Sequence, residues 1–223
     1  MSTSTERTAP SQSTSDLPDR RETELVKQRY DRIAPVYDAM EWFAERFRFS
    51  KWRPELWQSV EGKTILEVGV GTGKNFAYYP NNLNITALDI SPKMLQQAAR
   101  RAGELNVDVE LVEGDAQALP FEDDSFESAV TSFVFCSVPD PVQGLRELRR
   151  VLQPRGQLLM LEHVLSEKPV IHTLMKWFDF VPYRVWGAHI NRQTVENVRI
   201  AGFEPVEDTD LSLDIIKRIE ARA

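Results

Sequence analysis

One cysteine, three histidines and no long apolar run mark this sequence by what it lacks. Cys136 stands alone, so neither a disulfide framework nor a thiolate zinc cluster can form within one chain. His163, His172 and His189 lack the close spacing of a zinc-protease helix, and no metal site is expected. Positive charge is also short. Against 34 Asp and Glu stand 27 Lys and Arg, a formal net charge of −7 that speaks against a general nucleic-acid binder. No stretch approaches the ~20 apolar residues of a membrane span. The most apolar one, residues 130–138, is broken by Thr and Ser and suits a buried strand. The first residues carry neither the basic start nor the apolar run of a secretory signal. With 42% hydrophobic and 27% charged residues, the composition describes a compact domain of cytoplasmic type that needs no staple.

Residues 1–19 are rich in Ser and Thr and too polar to offset their ordering entropy, which predicts a disordered tail. Residues 20–223 then read as one domain, with a helical N-terminal segment (20–60) and an irregular insertion (164–190). From Gly62 onward strands and helices alternate. Strands are expected at 63–69, 84–89, 107–112, 126–133 and 157–161, and a short helix runs through Ala77. Ser91 and Pro92 supply an N-cap and a first-turn proline for a helix whose buried face is Met94, Leu95, Ala98, Ala99, Ala102 and Leu105. Leu145, Leu148, Val151 and Leu152 mark the next helix, which stops before Pro154. Single helices between strands imply parallel crossovers and a sheet covered on both faces. After a helix ending at Gly202, strands at 203–209 and 213–221 are joined too tightly for a crossover, so they pair antiparallel. The fold class is α/β: a doubly wound, seven-stranded, mostly parallel sheet with an antiparallel last strand.

The first strand runs into Glu67-Val-Gly69-Val-Gly71-Thr-Gly73. Glycines at the carboxyl end of a strand let the backbone turn sharply and approach a ligand. A phosphate-binding P-loop would need Ser or Thr after Lys74, where Asn75 stands; a dinucleotide fingerprint would want Gly in place of Lys74. Asp89 ends the second strand, 20 residues after Gly69, where a carboxylate can accept both ribose hydroxyls of an adenosine group. Asp115 follows the third strand on the same rim, and could accept from an exocyclic adenine amine. Acids ending three successive strands are more specific than any one alone.

These motifs resemble those of the class I S-adenosylmethionine-dependent methyltransferases. The likeness extends through Gly114-Asp115-Ala116, Leu119-Pro-Phe121, Asp124-Ser-Phe126 and Leu152-Gln-Pro-Arg-Gly156, and covers roughly residues 30–222. The subgroup suggested includes the quinone C-methyltransferases and the phosphatidylethanolamine N-methyltransferases. Glu127 stands where that family usually has Asp, and Arg155-Gly156-Gln157 replaces a Gly-Gly turn. The resemblance implies a Rossmann-like methyltransferase fold, an enzyme, and S-adenosyl-L-methionine as cofactor. It also implies roles. Gly69, Gly71 and Gly73 accommodate the methionyl end, with Glu67 near its ammonium. Asp89 holds the ribose and Ile90 packs on the adenine. Asp115 and Ala116 read the adenine edge, and Phe133 floors the pocket. Tyr37, with Tyr30, belongs to a lid over the cofactor. The tract between Arg101 and Arg146 holds no Lys or Arg, which suits a ligand bearing a sulfonium and an ammonium.

Two aromatic clusters bear on the acceptor. Trp42, Phe43, Phe47, Phe49, Trp52 and Trp57 interleave with Arg46, Arg48, Lys51 and Arg53. That mixture describes either a surface facing anionic lipid, with peripheral membrane contact, or a lid whose aromatics pack inward. Trp177, Phe178, Phe180, Tyr183 and Trp186 form the second, inside the insertion expected to shape the acceptor pocket. Both favour a bulky apolar or lipid-like small-molecule acceptor. Methyl transfer is an in-line displacement that positioning can accelerate; a base matters only for a protonated acceptor. His163, beside Glu162, is the expected base. A basic stretch and Arg192 tilt the reading towards a phospholipid amine over a quinone-precursor carbon or a small thiol. The alternatives from other classes are a non-catalytic S-adenosylmethionine-binding regulator and a nicotinamide-dependent oxidoreductase.

Overall fold

A computed structural model describes residues 20–39, 50–166, 168, 193–212 and 214–223. The tail, the aromatics at 42–49, and the insertion cluster with Arg192 lie outside the described residues. The elements are α1 (Arg20–Ile33), α2 (Ser50–Gln58), β1 (Thr64–Val68), β2 (Asn84–Asp89), α3 (Pro92–Leu105), β3 (Glu110–Glu113), β4 (Phe126–Ser132), α4 (Pro141–Val151), β5 (Leu152–His163), α5 (Thr194–Ile200), β6 (Val206–Ser212) and β7 (Ile216–Arg222). They form one seven-stranded sheet in the order β3-β2-β1-β4-β5-β7-β6. All pairs from β3 to β5 are parallel, and β7 runs antiparallel to both β5 and β6. The antiparallel strand is therefore interior, and β6 is the edge.

Side-chain alternation assigns the two faces of the sheet. Leu66 and Val68 of β1, Leu158 and Met160 of β5, and Ile219 and Ala221 of β7 share a core with Leu145, Leu148 and Val151 of α4 and Val198 of α5. On the other face Ile65, Val130, Leu159 and Leu161 pack with Leu56 and Trp57 of α2. Ala87 packs there with Ala98 and Ala102 of α3. Covering both faces explains why β1 is buried at four of its five positions.

The helix ends follow local chemistry. The Ser91 hydroxyl accepts from the Met94 N–H, Pro92 opens α3, and Asn106 closes it in the left-handed conformation. Ala99 and Leu105, expected on the buried face, are exposed, so the contact stripe is narrower than the apolar pattern. Asp140 caps α4 through Gln143, and Pro141 follows. The helix expected through Ala77 is instead a run of turns ending in one 3₁₀ turn, Phe76–Tyr78. Three glycines within five residues deny a helix its start there.

Candidate active site

The strand order reverses between β1 and β4, so the loops after β1, β2, β3 and β4 converge at one rim. A pocket with a cavity volume of about 100 Å³ opens there. Gly69, Gly71, Asp89, Ile90, Asp115, Ala116, Phe133 and Tyr37 all line it, which brings together eight residues expected from sequence. Gly73, Glu67 and His163 are not in the lining.

The glycine loop is held by its backbone. Gly69 and Val70 donate to the Leu88 carbonyl, and the Gly71 N–H donates to Asp89 Oδ2 at 2.8 Å. Gly69 and Gly71 have φ of +74° and +55°, the left-handed region. A Cβ on Gly69 would meet Val134 Cγ2 at 2.3 Å, whereas one on Gly71 would enter open space. Asp89 Oδ1 accepts from the Ser91 N–H at 2.9 Å. Burial of this carboxyl outweighs those N–H groups and lifts its pKa from 3.8 to about 6.

Asp115 Oδ1 accepts from the Gln117 N–H at 2.9 Å and from its side-chain amide. Gln117 is 2% exposed; it also accepts from the Asp140 N–H and donates to Thr23 of α1. Phe133 adopts φ of +60° as the chain leaves β4, and its N–H donates to the Leu161 carbonyl at 2.7 Å. His163 packs its ring on Phe133, centroids 4.7 Å apart, so it adjoins the pocket wall through that ring.

Glu67 has the parity of Ile65 and therefore faces α2, beneath the loop. Asn75 donates to Glu67 Oε1 at 2.5 Å, and the Tyr79 hydroxyl donates to Oε2. Arg53 of α2 donates to Asn75 Oδ1 at 2.7 Å, and its guanidinium lies 5.8 Å from the Phe133 ring centre. Burial raises the Glu67 pKa to about 6 against the lowering effect of these partners. Sequence reading missed this network because Arg53 sits in a run of bases that looks solvent-facing. In the structure Arg53 is 5% and Trp57 0% exposed, and Trp52 packs against the second core. The described aromatic end of the proposed lipid-facing stretch thus packs inward, while Lys51 stays exposed.

A third buried carboxyl, Glu162, lies on the face opposite Glu67. Glu162 Oε1 accepts from the N–H groups of Val134 (3.0 Å) and Phe135 (3.2 Å) and from the Thr131 hydroxyl. Oε2 is buried with no hydrogen-bond partner among the described residues. Burial pushes the Glu162 pKa up to about 7, which lets Oε2 carry a proton near neutrality.

Helix α1 and the residues after it cross the rim and are tied down by polar contacts. Lys27 pairs with Glu113, and Tyr30 and Ser137 hydroxyls share a 2.7 Å hydrogen bond. Asp31 accepts from the Ser91 hydroxyl at 2.6 Å. Asp38 accepts from Thr72 at 2.7 Å and pairs with Arg101. Tyr37 lies 6.4 Å from Tyr30, centre to centre, with the Lys74 ammonium 5.1 Å from its ring. Among the described residues no helix is long and apolar enough to cross a membrane.

Comparison with known proteins fits this geometry. The Methyltransferase domain family matches residues 66–160, the span from β1 through most of β5. A demethylmenaquinone methyltransferase of Renibacterium salmoninarum is 34% identical over 141 residues, 61% of this chain and 58% of the relative. A phosphatidylethanolamine N-methyltransferase of Cereibacter sphaeroides is 30% identical over 149 residues, 66% of this chain and 72% of the relative. The chain thus spans about three-fifths of the demethylmenaquinone methyltransferases it matches. The crystal structure of the cyclase SpnF shares the fold, with a TM-score of 0.73 at 21% identity over 90% of this chain and 95% of that one. A fold shared with a cyclase leaves the reaction to be argued from the site. Sheet order, glycine loop, acidic rim and the Cereibacter relative agree: this chain belongs to the class I S-adenosylmethionine-dependent methyltransferases.

Proposed function

We propose that this chain transfers a methyl group from S-adenosylmethionine to an apolar acceptor. The observation that carries the reading is the convergence of Gly69, Gly71, Asp89, Asp115 and Phe133 on one pocket. The residues fit the cofactor. Open space faces Gly71 where any Cβ would intrude, and a buried carboxyl with free lone pairs stands at the rim. Once bound, the cofactor supplies an electrophilic methyl on a positively charged sulfur.

Asp89 holds the ribose hydroxyls with the acceptor capacity left after Gly71 and Ser91. Ile90 and Ala116 pack on the adenine and Asp115 takes its amine, while Gln117 fixes the Asp115 carboxylate. Tyr37 and α1 exclude water from above. Phe133 forms the floor. Glu67 departs from the role its motif implies. Outside the pocket lining and bonded to Asn75 and Tyr79, it serves to brace the loop from below instead of taking the ammonium. Gly73 lies against the Phe76 ring and sets the loop's exit.

A hydroxylated aromatic ring of the quinone-precursor type is the acceptor we favour. The lipid-amine reading leaned on the basic stretch and Arg192 for a phosphate contact; of these Arg53 is buried and bonded to Asn75, and Arg46, Arg48 and Arg192 lie outside the described residues. A phospholipid amine is the second reading, supported by the Cereibacter relative and its 72% coverage. Either acceptor must lose a proton, and His163, stacked on Phe133, is the residue we assign to take it. The test supplies purified protein and methyl-labelled cofactor with a demethylated isoprenoid quinol or with phosphatidylethanolamine vesicles. Label in the ring supports the first reading, and label in the headgroup installs the second. No label in either, or in a crude lipid extract, returns the chain to a cofactor-binding regulator. Flotation with anionic vesicles tests peripheral membrane contact in the same preparation.

A further inference from the structure

The carboxyl of Glu162 is fully buried, lies outside the pocket lining, and plays no part in the transfer scheme above. We propose that Glu162 is a positioning residue: its Oε1 holds the Val134 and Phe135 N–H groups and so fixes the turn that presents Phe133 and Val134 to the pocket. The proposal rests on reading that pocket as the cofactor site.

The chain of contacts is continuous. Phe133 leaves β4 in a left-handed conformation that strains a phenylalanine, so something must hold it there. Its own N–H is tied to the Leu161 carbonyl. The next two N–H groups point at one oxygen of the very next residue on β5, Glu162. Without that oxygen two donors in a largely buried turn would lack an acceptor. The Val134 side chain in turn fills the space where a Gly69 Cβ would sit, so the turn after β4 and the glycine loop after β1 are packed together. A shift at Val134 moves both walls of the pocket. Alternation along β5 separates Glu162 from its neighbour: Glu162 faces the α4 side with Met160, and His163 faces the Phe133 ring. Glu162 therefore acts through the backbone of the turn and touches neither cofactor nor acceptor. One carboxyl oxygen suffices, because both N–H groups and the Thr131 hydroxyl converge on Oε1 and Oε2 has no partner among the described residues.

The role requires an acceptor of the right length and does not require a negative charge. Three variants separate these demands: Glu162→Gln keeps the length and one carbonyl oxygen, Glu162→Ala removes both, and Glu162→Asp keeps charge but withdraws it by one methylene. Affinity for S-adenosylmethionine is measured by calorimetry, and amide hydrogen exchange at residues 133–135 is measured without cofactor. The alanine variant should bind about ten- to a hundredfold more weakly and exchange faster at Val134 and Phe135. Glutamine should restore both properties to within about threefold of the parent. If glutamine is as weak as alanine, charge is what matters and the proposal falls. It falls equally if alanine leaves affinity and exchange unchanged. Should the alanine variant fail to fold, the aspartate variant decides, with weak binding in support and parental binding against. A parent protein that binds no cofactor, yet shows the exchange pattern, would sink the cofactor reading and leave the positioning of the turn standing.

Discussion

The rim at the carboxyl ends of β3, β2, β1, β4 and β5 and the antiparallel meander of β7 and β6 handle polar groups in opposite ways. At the rim, Glu67 and Asp89 are 1% and 8% exposed, and burial lifts each pKa to about 6. Positive φ angles occur there too, at Gly69, Gly71, Gly73 and Phe133, besides ordinary turns elsewhere such as Arg155 and Asp214. In the meander, acids and bases meet at or near the surface: Lys217 with Asp208 and Asp210, Arg218 with Glu220, and Arg222 with Glu61. Buried carboxyls and strained turns subtract from stability; exposed ion pairs add little. The rim, Glu162 at the end of β5 included, carries costs that a ligand site explains, and the β7–β6 arm is scaffold.

The largest way to break this contrast is at the packed glycine. Gly69→Ala places a Cβ 2.3 Å from Val134 Cγ2 in a left-handed backbone. Strain of about 1–2 kcal/mol adds to overpacking of about 1–3 kcal/mol. Gly71→Ala meets only the backbone strain, since its Cβ would enter open space. Denaturant unfolding should rank Gly69→Ala well below Gly71→Ala; equal losses would mean that the two loops are not packed together. Next comes Asp89→Ala, which removes a carboxyl holding the Gly71 and Ser91 N–H groups. Cofactor affinity should fall by about 1.5–3 kcal/mol, ten- to a hundredfold by calorimetry. A folded variant with unchanged affinity would take Asp89 out of the site.

The pH dependence of the buried carboxyls sharpens the contrast further. Glu162 titrates near 7 in the folded chain against 4.5 for the free group. A carboxyl raised in this direction contributes its stability fully below about pH 4.5 and loses it as pH rises through about 7. Glutamine cannot ionise, so Glu162→Gln should gain on the parent between pH 5 and pH 8, by about 2 kcal/mol in unfolding free energy. Glu67 and Asp89 shift in the same direction but are common to both proteins and cancel. A margin that is flat or shrinking with pH would show that Glu162 stays ionised at little cost.

What could be read from sequence, and what could not, follows the same division. Asp89 ends β2 and Asp115 lies two residues beyond β3, and a residue at a parallel strand's carboxyl end faces the rim whatever surrounds it. Eight of the expected residues accordingly line the pocket. Glu67 sits inside its strand, where alternation fixes a face but cannot say what covers that face. Its surroundings come from Arg53, 14 residues upstream on α2, and from Asn75 beyond the loop. Arg53 itself was misleading because alternating bases and aromatics suit a lipid surface as well as a packed lid. The buried Leu56 and Trp57 beside it carry the signal that the helix packs inward. The direction of β7 was legible from the short link to β6, but its place between β5 and β6 was not, since antiparallel pairing fixes neighbours and not which strand takes the edge.

The smallest expected effect probes the scaffold arm. Arg222 makes two hydrogen bonds to the Glu61 carboxylate, at 2.8 and 2.9 Å, joining β7 to the segment before β1. The Glu61 side chain is 60% exposed, so solvent screens the pair despite its good geometry. Arg222→Ala should therefore cost no more than about 1 kcal/mol at low ionic strength. The loss should shrink in 1 M salt, where the Debye length falls to about 3 Å. Cofactor affinity should not move, because neither residue lies near the rim that holds the pocket. If Arg222→Ala instead weakened binding as Asp89→Ala does, the two regions would be coupled, and the meander would have to be counted as part of the site.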